Sequence, residues 1–239
     1  MDTKFVILAA GMSTRLGSLI PKPLVSLKDE KTILDYQIEN IVKYTSADNI
    51  YIVTGYKKEI IMEKYPDLIY VYNEAYVHTN TAKSLLKALK KIKSDTIWLN
   101  GDIYFEDKVL KNLINAEYSS VLVDNKICGE EEIKYTQDKS GFLLKISKEV
   151  PNPSGEALGI NLIKEKDIDT FVKYLEAVDS YDYFEKAIEN MIKADKLKIK
   201  VINIGNLFCK EIDFEEDLKE VREYLHNKKQ PFSNKNCHL

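Results

Sequence analysis

Apolar residues fall along this chain in short blocks that switch between two periods. Phe5-Val6-Ile7-Leu8-Ala9 runs without a polar side chain, as expected for a strand covered on both faces. Leu34, Ile38 and Ile41 then recur at helical spacing, with Thr32 and Asp35 placed as a capping pair at the helix start. Ile50–Thr54 and Leu68–Tyr72 read as a second and a third strand. Ala82, Leu85, Leu86, Leu89 and Ile92 mark an amphipathic helix, and Thr96–Leu99 a fourth strand. Short β segments separated by helices need crossover connections. The pattern therefore predicts an α/β domain with a mainly parallel sheet flanked by helices.

After about residue 118 the rhythm changes. Segments 119–123, 133–136, 142–147 and 157–162 all read as strands, with a turn at Asp138–Gly141. They form a β-rich insert over about 119–162. Two helices follow, marked by Ile168, Phe171, Val172 and Leu175 and by Phe184, Ile188 and Met191. Strands near 198–204 and 207–212 precede a last helix carrying Phe214, Leu218, Val221 and Leu225. Residues 1–226 are expected to form one domain, and the apolar-poor stretch from Asn227, with Pro231, a mobile tail.

Composition narrows the class. With 239 residues, 35 Lys and Arg against 38 Asp and Glu give a net charge of −3, which argues against a nucleic-acid binder. Hydrophobic residues at 44% and charged residues at 31% suit a globular chain. No apolar run is long enough to cross a bilayer, and Met1–Lys4 opens no cleavable leader pattern. Cys128, Cys209 and Cys237 are far apart and form no CxxC, so a reduced, cytoplasmic setting is expected, with Cys128 and Cys209 as buried small hydrophobes. Arg15 and Arg222 are the two arginines, so an arginine at a motif position carries information.

The first strand ends in such a motif: Leu8-Ala9-Ala10-Gly11-Met12-Ser13-Thr14-Arg15-Leu16-Gly17, then Pro21-Lys22-Pro23-Leu24. Small residues let a ligand approach the backbone, and amides of residues 11–15 can face phosphate oxygens. Arg15 adds a forked cation, and Lys22 a second charge from a stiff segment between prolines. Neither GxxxxGK[ST] nor GxGxxG is present, which removes support for kinase, ATPase and dehydrogenase readings. Asp102, after Trp98-Leu99-Asn100-Gly101 at the end of the fourth strand, lies where open sheets place ligands. Asp213, in Cys209-Lys210-Glu211-Ile212-Asp213, offers a second carboxylate. It stands equally as a cap for the last helix, with Glu216 reaching back.

The loop and the P-K-P-L segment together resemble the nucleotidyltransferases that make nucleotide-sugars and related activated metabolites, with Ser13 where glycine is commonest. The likeness extends over about residues 4–225. It implies a Rossmann-like mixed sheet with the β-rich insert on the acceptor side. It also implies Mg²⁺, or Mn²⁺, on Asp102 and Asp213 and a nucleotide held by residues 8–15, Lys22, Gly55, Thr81, Ser84 and Gly101. The string Asn73…Tyr76…Thr79-Asn80-Thr81-Ala82-Lys83-Ser84-Leu85 resembles the phosphocholine cytidylyltransferase branch, which implies CTP. Lys148, Glu156 and Tyr183 match the family's acceptor side. The function implied is transfer of CMP from CTP to a small phosphorylated metabolite, of phosphocholine, phosphoglutamine or phosphonate type, in a capsule or surface-glycan pathway. A sugar-1-phosphate transferase using UTP or dTTP is the alternative within the fold, and a non-catalytic nucleotide sensor the alternative outside it. Edge strands of the insert leave an oligomer open.

Overall fold

The computed structural model describes residues 3–12 and 20–228. In chain order the elements are β1 (Lys4–Ala9), β2 (Ser26–Lys28), β3 (Lys31–Thr32), α1 (Ile33–Ile41), β4 (Ile50–Thr54), α2 (Lys58–Lys64), β5 (Ile69–Tyr72), α3 (Thr81–Leu89) and β6 (Thr96–Asn100). There follow β7 (Ile103–Phe105), α4 (Lys108–Ile114), β8 (Ser120–Asp124), β9 (Lys134–Gln137), β10 (Leu143–Ser147) and β11 (Gly155–Ile163). The chain then forms α5 (Glu165–Ala177), α6 (Phe184–Lys193), β12 (Lys200–Asn203), β13 (Cys209–Glu211) and α7 (Glu215–Lys228).

Among the described residues the main sheet has nine strands. β1 lies between β4 and β6, parallel to both, and β5 continues the parallel part beyond β4. β11 runs antiparallel to β6 along Ile160–Ile163 and pairs with β9 at Gly155 and Glu156. Its other edge takes β8, which in turn pairs in parallel with β12. The sheet is therefore mixed: parallel where the crossover helices are, antiparallel in the insert.

Period-2 alternation along β1 explains the two-sided core. Val6, Leu8 and Ala10 face a cluster with Leu85 and Leu89 of α3, Trp98, Phe171 of α5 and Phe184 of α6. Phe5, Ile7 and Ala9 face the opposite cluster, with Leu34 and Ile41 of α1 and Leu110 of α4. A third cluster joins Val25, Leu27, Ile33 and Tyr104 to Ile212, Leu218, Val221 and Leu225, which seats α7 against the β2–β3 hairpin. Thr32 and Asp35 form a reciprocal capping box at the start of α1.

Three expectations need correction. The last helix runs through Lys228, so Asn227 is helical; the rest of the expected tail lies outside the described residues. Cys128 is half-buried rather than buried, while Cys209 is buried as expected. β7, β2 and β3 were not foreseen, because two- and three-residue strands carry too few positions to show a period. No helix among the described residues is long and apolar enough to cross a membrane.

Candidate active site

A cleft of about 560 Å³ opens at the carboxyl ends of β1 and β6 and is closed on the far side by the insert and the C-terminal segment. That is where open α/β sheets place ligands. Leu8, Ala9, Gly11 and Met12 form one wall, and Gly101 is tied to it by its amide, which donates to the Leu8 carbonyl at 2.9 Å. Ser13, Thr14 and Arg15 lie outside the described residues.

Lys22 starts a single 3₁₀ turn, Lys22–Leu24, pinned by the Leu24 amide on the Pro21 carbonyl. Its Nζ donates to Asp102 Oδ2 at 2.8 Å and Asp213 Oδ1 at 2.5 Å. Burial works against this ammonium, but the two carboxylates outweigh it and its pKa ends above the ordinary lysine value. The carboxylates meet because β13 lies antiparallel on β7, with Glu211 opposite Ile103, and the Ile212 amide donates to the Asp102 carbonyl. A strand pairing three residues long thus carries a residue 111 positions downstream into the turn after β6 (213 − 102).

The turn into α7 is capped by Asp217, whose carboxylate accepts from the Asp213 and Phe214 amides at 3.0 and 2.9 Å. Glu216 does not make that bond. The Asp213 side chain is thereby directed to Lys22 and lines the cleft.

Carboxylate oxygens of Asp102, Glu211 and Asp213 all lie within 4.8 Å of one another. Asp102 Oδ1 is buried and has no hydrogen-bond partner among the described residues. An all-oxygen donor set with an unsatisfied buried lone pair suits a hard divalent cation such as Mg²⁺. Glu211 lines the cleft and is open to its solvent. Even so, the protein packed around it and then the charges of Asp102 and Asp213 push its carboxyl well above the ordinary glutamate range. Crowded like charges of this kind favour a bound cation.

Other expected residues divide between cleft and scaffold. Thr81 lines the cleft, and its hydroxyl accepts from the Phe184 amide at 3.2 Å. Ser84 does not line it: the side chain is buried and accepts from Asn73 Nδ2 at 3.0 Å, holding the chain after β5. Gly55 is likewise set back from the cleft. A Cβ there would fall 2.6 Å from both the Ala10 carbonyl oxygen and Tyr76 Cβ, so glycine allows β1, β4 and the base-side loop to close up. Ala10 is buried at the same junction.

Lys148, Glu156 and Tyr183 all line the far wall. Glu156 is paired with Lys126 at 2.5 Å, and Lys148 with Glu131 at 2.9 Å. Glu131 and Glu132, from the acidic run Glu130–Glu132, also line the cleft. β11 bends across this wall at an irregularity between Ala157 and Asn161. Gly159 sits there at φ +66°, and a Cβ on it would meet Asn100 Nδ2 at 2.8 Å.

Sequence reasoning missed Lys126, Lys210 and Glu185. Lys126 and Lys210 look like any of the many lysines, and only their ion pairs single them out. Glu185 lies beside the Phe184 core stripe, and its burial pushes the carboxyl up to about 7, with Lys148 pulling weakly the other way.

Residues 5–127 match the MobA-like NTP transferase domain, and the chain belongs to that family. Among curated relatives, bifunctional protein GlmU of Methanococcus maripaludis is 34% identical over 164 residues, covering 66% of this chain and 38% of that protein. GlmU of Methanocaldococcus jannaschii is 25% identical over 232 residues, covering 93% and 54%. The chain therefore spans 38% to 54% of the length of these curated relatives. CTP:phosphocholine cytidylyltransferase (LicC) of Streptococcus pneumoniae has the same fold, with a TM-score of 0.77, 23% identity and coverage of 94% and 100%. The inositol-1-phosphate CTP transferase of T. maritima superposes with a TM-score of 0.79, 19% identity and coverage of 96% and 97%.

Proposed function

We propose that this chain is a Mg²⁺-dependent nucleotidyltransferase that moves CMP from CTP to a small phosphate monoester or phosphonate and releases pyrophosphate. The observation that carries this reading is the cluster of Lys22, Asp102 and Asp213 at the strand ends, beside the loop that follows β1. Family membership supports nucleotidyl transfer. The resemblance of the Asn73–Leu85 string to cytidylyltransferases supports CTP, and the two superposable enzymes are named for CTP chemistry.

In the reaction an acceptor oxygen attacks the α-phosphorus, a new P–O bond forms, the α–β bridging P–O bond breaks, and pyrophosphate leaves with the bonding pair. The acceptor phosphate, with a second pKa of about 6, is already largely dianionic at neutral pH, so no side chain need remove a proton. The barrier is then one of positioning and of bringing anions together. A divalent ion held by Asp102 and Asp213 would neutralise phosphate charge and orient the leaving group. Lys22 brings a permanent cation to the same place. Lys126, Lys148 and Lys210 line the acceptor side, where an incoming anion must pass.

The test is pyrophosphate release across four NTPs and a panel of phosphate esters, with and without Mg²⁺. CTP-dependent release that needs the metal is expected. Release with UTP or dTTP and sugar-1-phosphates would move the assignment to that branch, and no release with any NTP would favour a nucleotide sensor.

A further inference from the structure

We infer that Glu185 is the seat for a protonated amine on the acceptor, so that the second substrate is a phosphate ester or phosphonate bearing an ammonium group with free N–H bonds. This rests on the proposed transferase reading and adds to it which class of acceptor the cleft takes.

Glu185 is 7% exposed, yet it lines the cleft. Its one hydrogen bond is from its own amide, and among the described residues no side chain pairs with it. The other acids of the cleft are accounted for. Glu156 has Lys126, Glu131 has Lys148, and Asp217 has Lys210 at 3.0 Å. Asp102 and Asp213 share Lys22, and Glu211 stands with them. Glu132 is half-buried and in reach of water. Glu185 alone combines burial, a place on the cleft wall and no ion-pair partner among the described residues, with Lys148 acting on it only weakly from a distance. An isolated buried carboxylate is costly, and a ligand cation seated against it offsets that cost.

Its position is also fixed from outside. The Asn80 amide donates to the Ser180 carbonyl at 2.8 Å, and the Phe184 amide donates to Thr81 Oγ1. The start of α3 thus holds the chain that leads into α6, and with it Glu185, on the acceptor side of the cleft.

The ligand cation is one with N–H donors. A carboxylate binds such a group through charge-assisted hydrogen bonds, whereas a quaternary ammonium has no donor and is held by an aromatic box. Tyr181 and Tyr183 are 67% and 42% exposed and stand at the rim. No ring contact joins them to each other or to Tyr76 among the described residues.

The test is calorimetric binding of 2-aminoethyl phosphate, its N,N,N-trimethyl analogue and ethyl phosphate to the full chain with Mg²⁺, with and without CTP. The same titrations are run on Glu185→Gln and Glu185→Asp, each checked for folding by circular dichroism. The amine-bearing probe is expected to bind at least tenfold more tightly than both others. That advantage should vanish in Glu185→Gln and partly return in Glu185→Asp. Equal affinity for the trimethyl analogue, or an amine preference that survives Glu185→Gln, overturns the proposal. Failure of the transferase reading looks different: no pyrophosphate forms with any NTP, while the amine preference and its dependence on Glu185 are still read directly from binding.

Discussion

The parallel half of the molecule and the β-rich insert meet at one cleft but build their walls differently. In the parallel half, site groups hang from the ends of β1 and β6 and from the loops that follow them: Leu8, Ala9, Gly11, Gly101 and Asp102. Their places follow from the topology itself, because every parallel strand delivers its carboxyl end to the same side. On the insert side, Lys126, Lys148, Glu156 and Glu185 project from loops, a strand interior and a helix. They reach the cleft only through tertiary packing, and Lys126, Lys148 and Glu156, though not Glu185, are steadied by ion pairs. The comparison predicts that variants on the first wall act on chemistry, and variants on the second act on acceptor choice and stability.

The largest effect is expected at Asp102. Asp102→Ala should lower turnover by about 10²–10³-fold, the scale set by losing one preorganised electrostatic contact in the transition state. The chain should still fold, since the Asp102 backbone carbonyl that accepts from Ile212 is retained. Steady-state kinetics with a thermal melt checks both; turnover within threefold of the parent would remove Asp102 from the proposed metal-holding pair.

Lys22 comes next, because it links the two halves of the carboxylate cluster. Lys22→Met leaves Asp102, Asp213 and Glu211 facing one another without their ammonium. In the absence of metal we expect a stability loss of about 1–3 kcal/mol, the cost of an unpaired, part-buried charge. Mg²⁺ should then raise the melting temperature of the variant more than that of the parent, by binding linkage. A metal-independent loss would mean that Lys22 matters through packing alone.

Those two walls were also unequally legible from sequence. Phe5–Ala9, the helix from Leu34 and the strand ending at Asn100 could be read because each spans enough positions to show its period. On that side Lys22 and Asp102 stand out because each sits in a contiguous string, and both line the cleft; Ser13, Thr14 and Arg15 lie outside the described residues. Asp213 was half legible: its place near a strand end is visible, but a cap and a site carboxylate look alike in sequence, and the structure adds that Asp217 takes the Asp213 and Phe214 amides while the Asp213 side chain meets Lys22. The family resemblance assigns Ser84 and Gly55 to the nucleotide, and the structure shows Ser84 holding Asn73 and Gly55 admitting Tyr76. Glu185 was illegible. A glutamate one position after a core phenylalanine looks solvated, yet α6 packs on β10, α5 and α3 and Glu185 is buried.

Glu185 sharpens the comparison from the stability side. Its carboxyl is raised from 4.5 to about 7 by burial. Below pH 4.5 the group is neutral folded and unfolded, and costs nothing. As pH rises toward 7 the unfolded chain ionises first, so stability falls, and above about 7 the full penalty is present. Glu185→Gln should therefore be more stable than the parent at pH 8, by about 1–3 kcal/mol for relief of an unpaired buried group, and indistinguishable at pH 4. Urea melts at both pH values check this. A variant less stable at pH 8 would show that the carboxylate has a structural partner.

The smallest effect lies far from the cleft, at the start of α1, and separates scaffold from site. The Asp35 amide donates to Thr32 Oγ1 at 3.2 Å, and Asp35 Oδ2 accepts from the Thr32 amide and from Lys64 at 2.8 and 2.7 Å. Burial pushes the Asp35 carboxyl up, but Lys64, Thr32 and Tyr65 outweigh it and hold it at about 2. Because the folded value is the lower one, this contribution is present above the unfolded value of 3.8 and is lost as pH falls through about 2. Solvent at this half-open site screens it to about 1 kcal/mol. Thr32→Ala should cost about 1 kcal/mol at pH 7, the ordinary worth of an N-cap. The stability difference between the parent and Asp35→Asn should shrink between pH 4 and pH 2. Turnover should stay unchanged in Thr32→Ala, since the capping box touches no residue of the cleft; a drop in turnover without a drop in stability would mean that α1 positions the Gln37 amide, which donates to the Asn100 carbonyl at 2.9 Å, and through it the turn that carries Asp102.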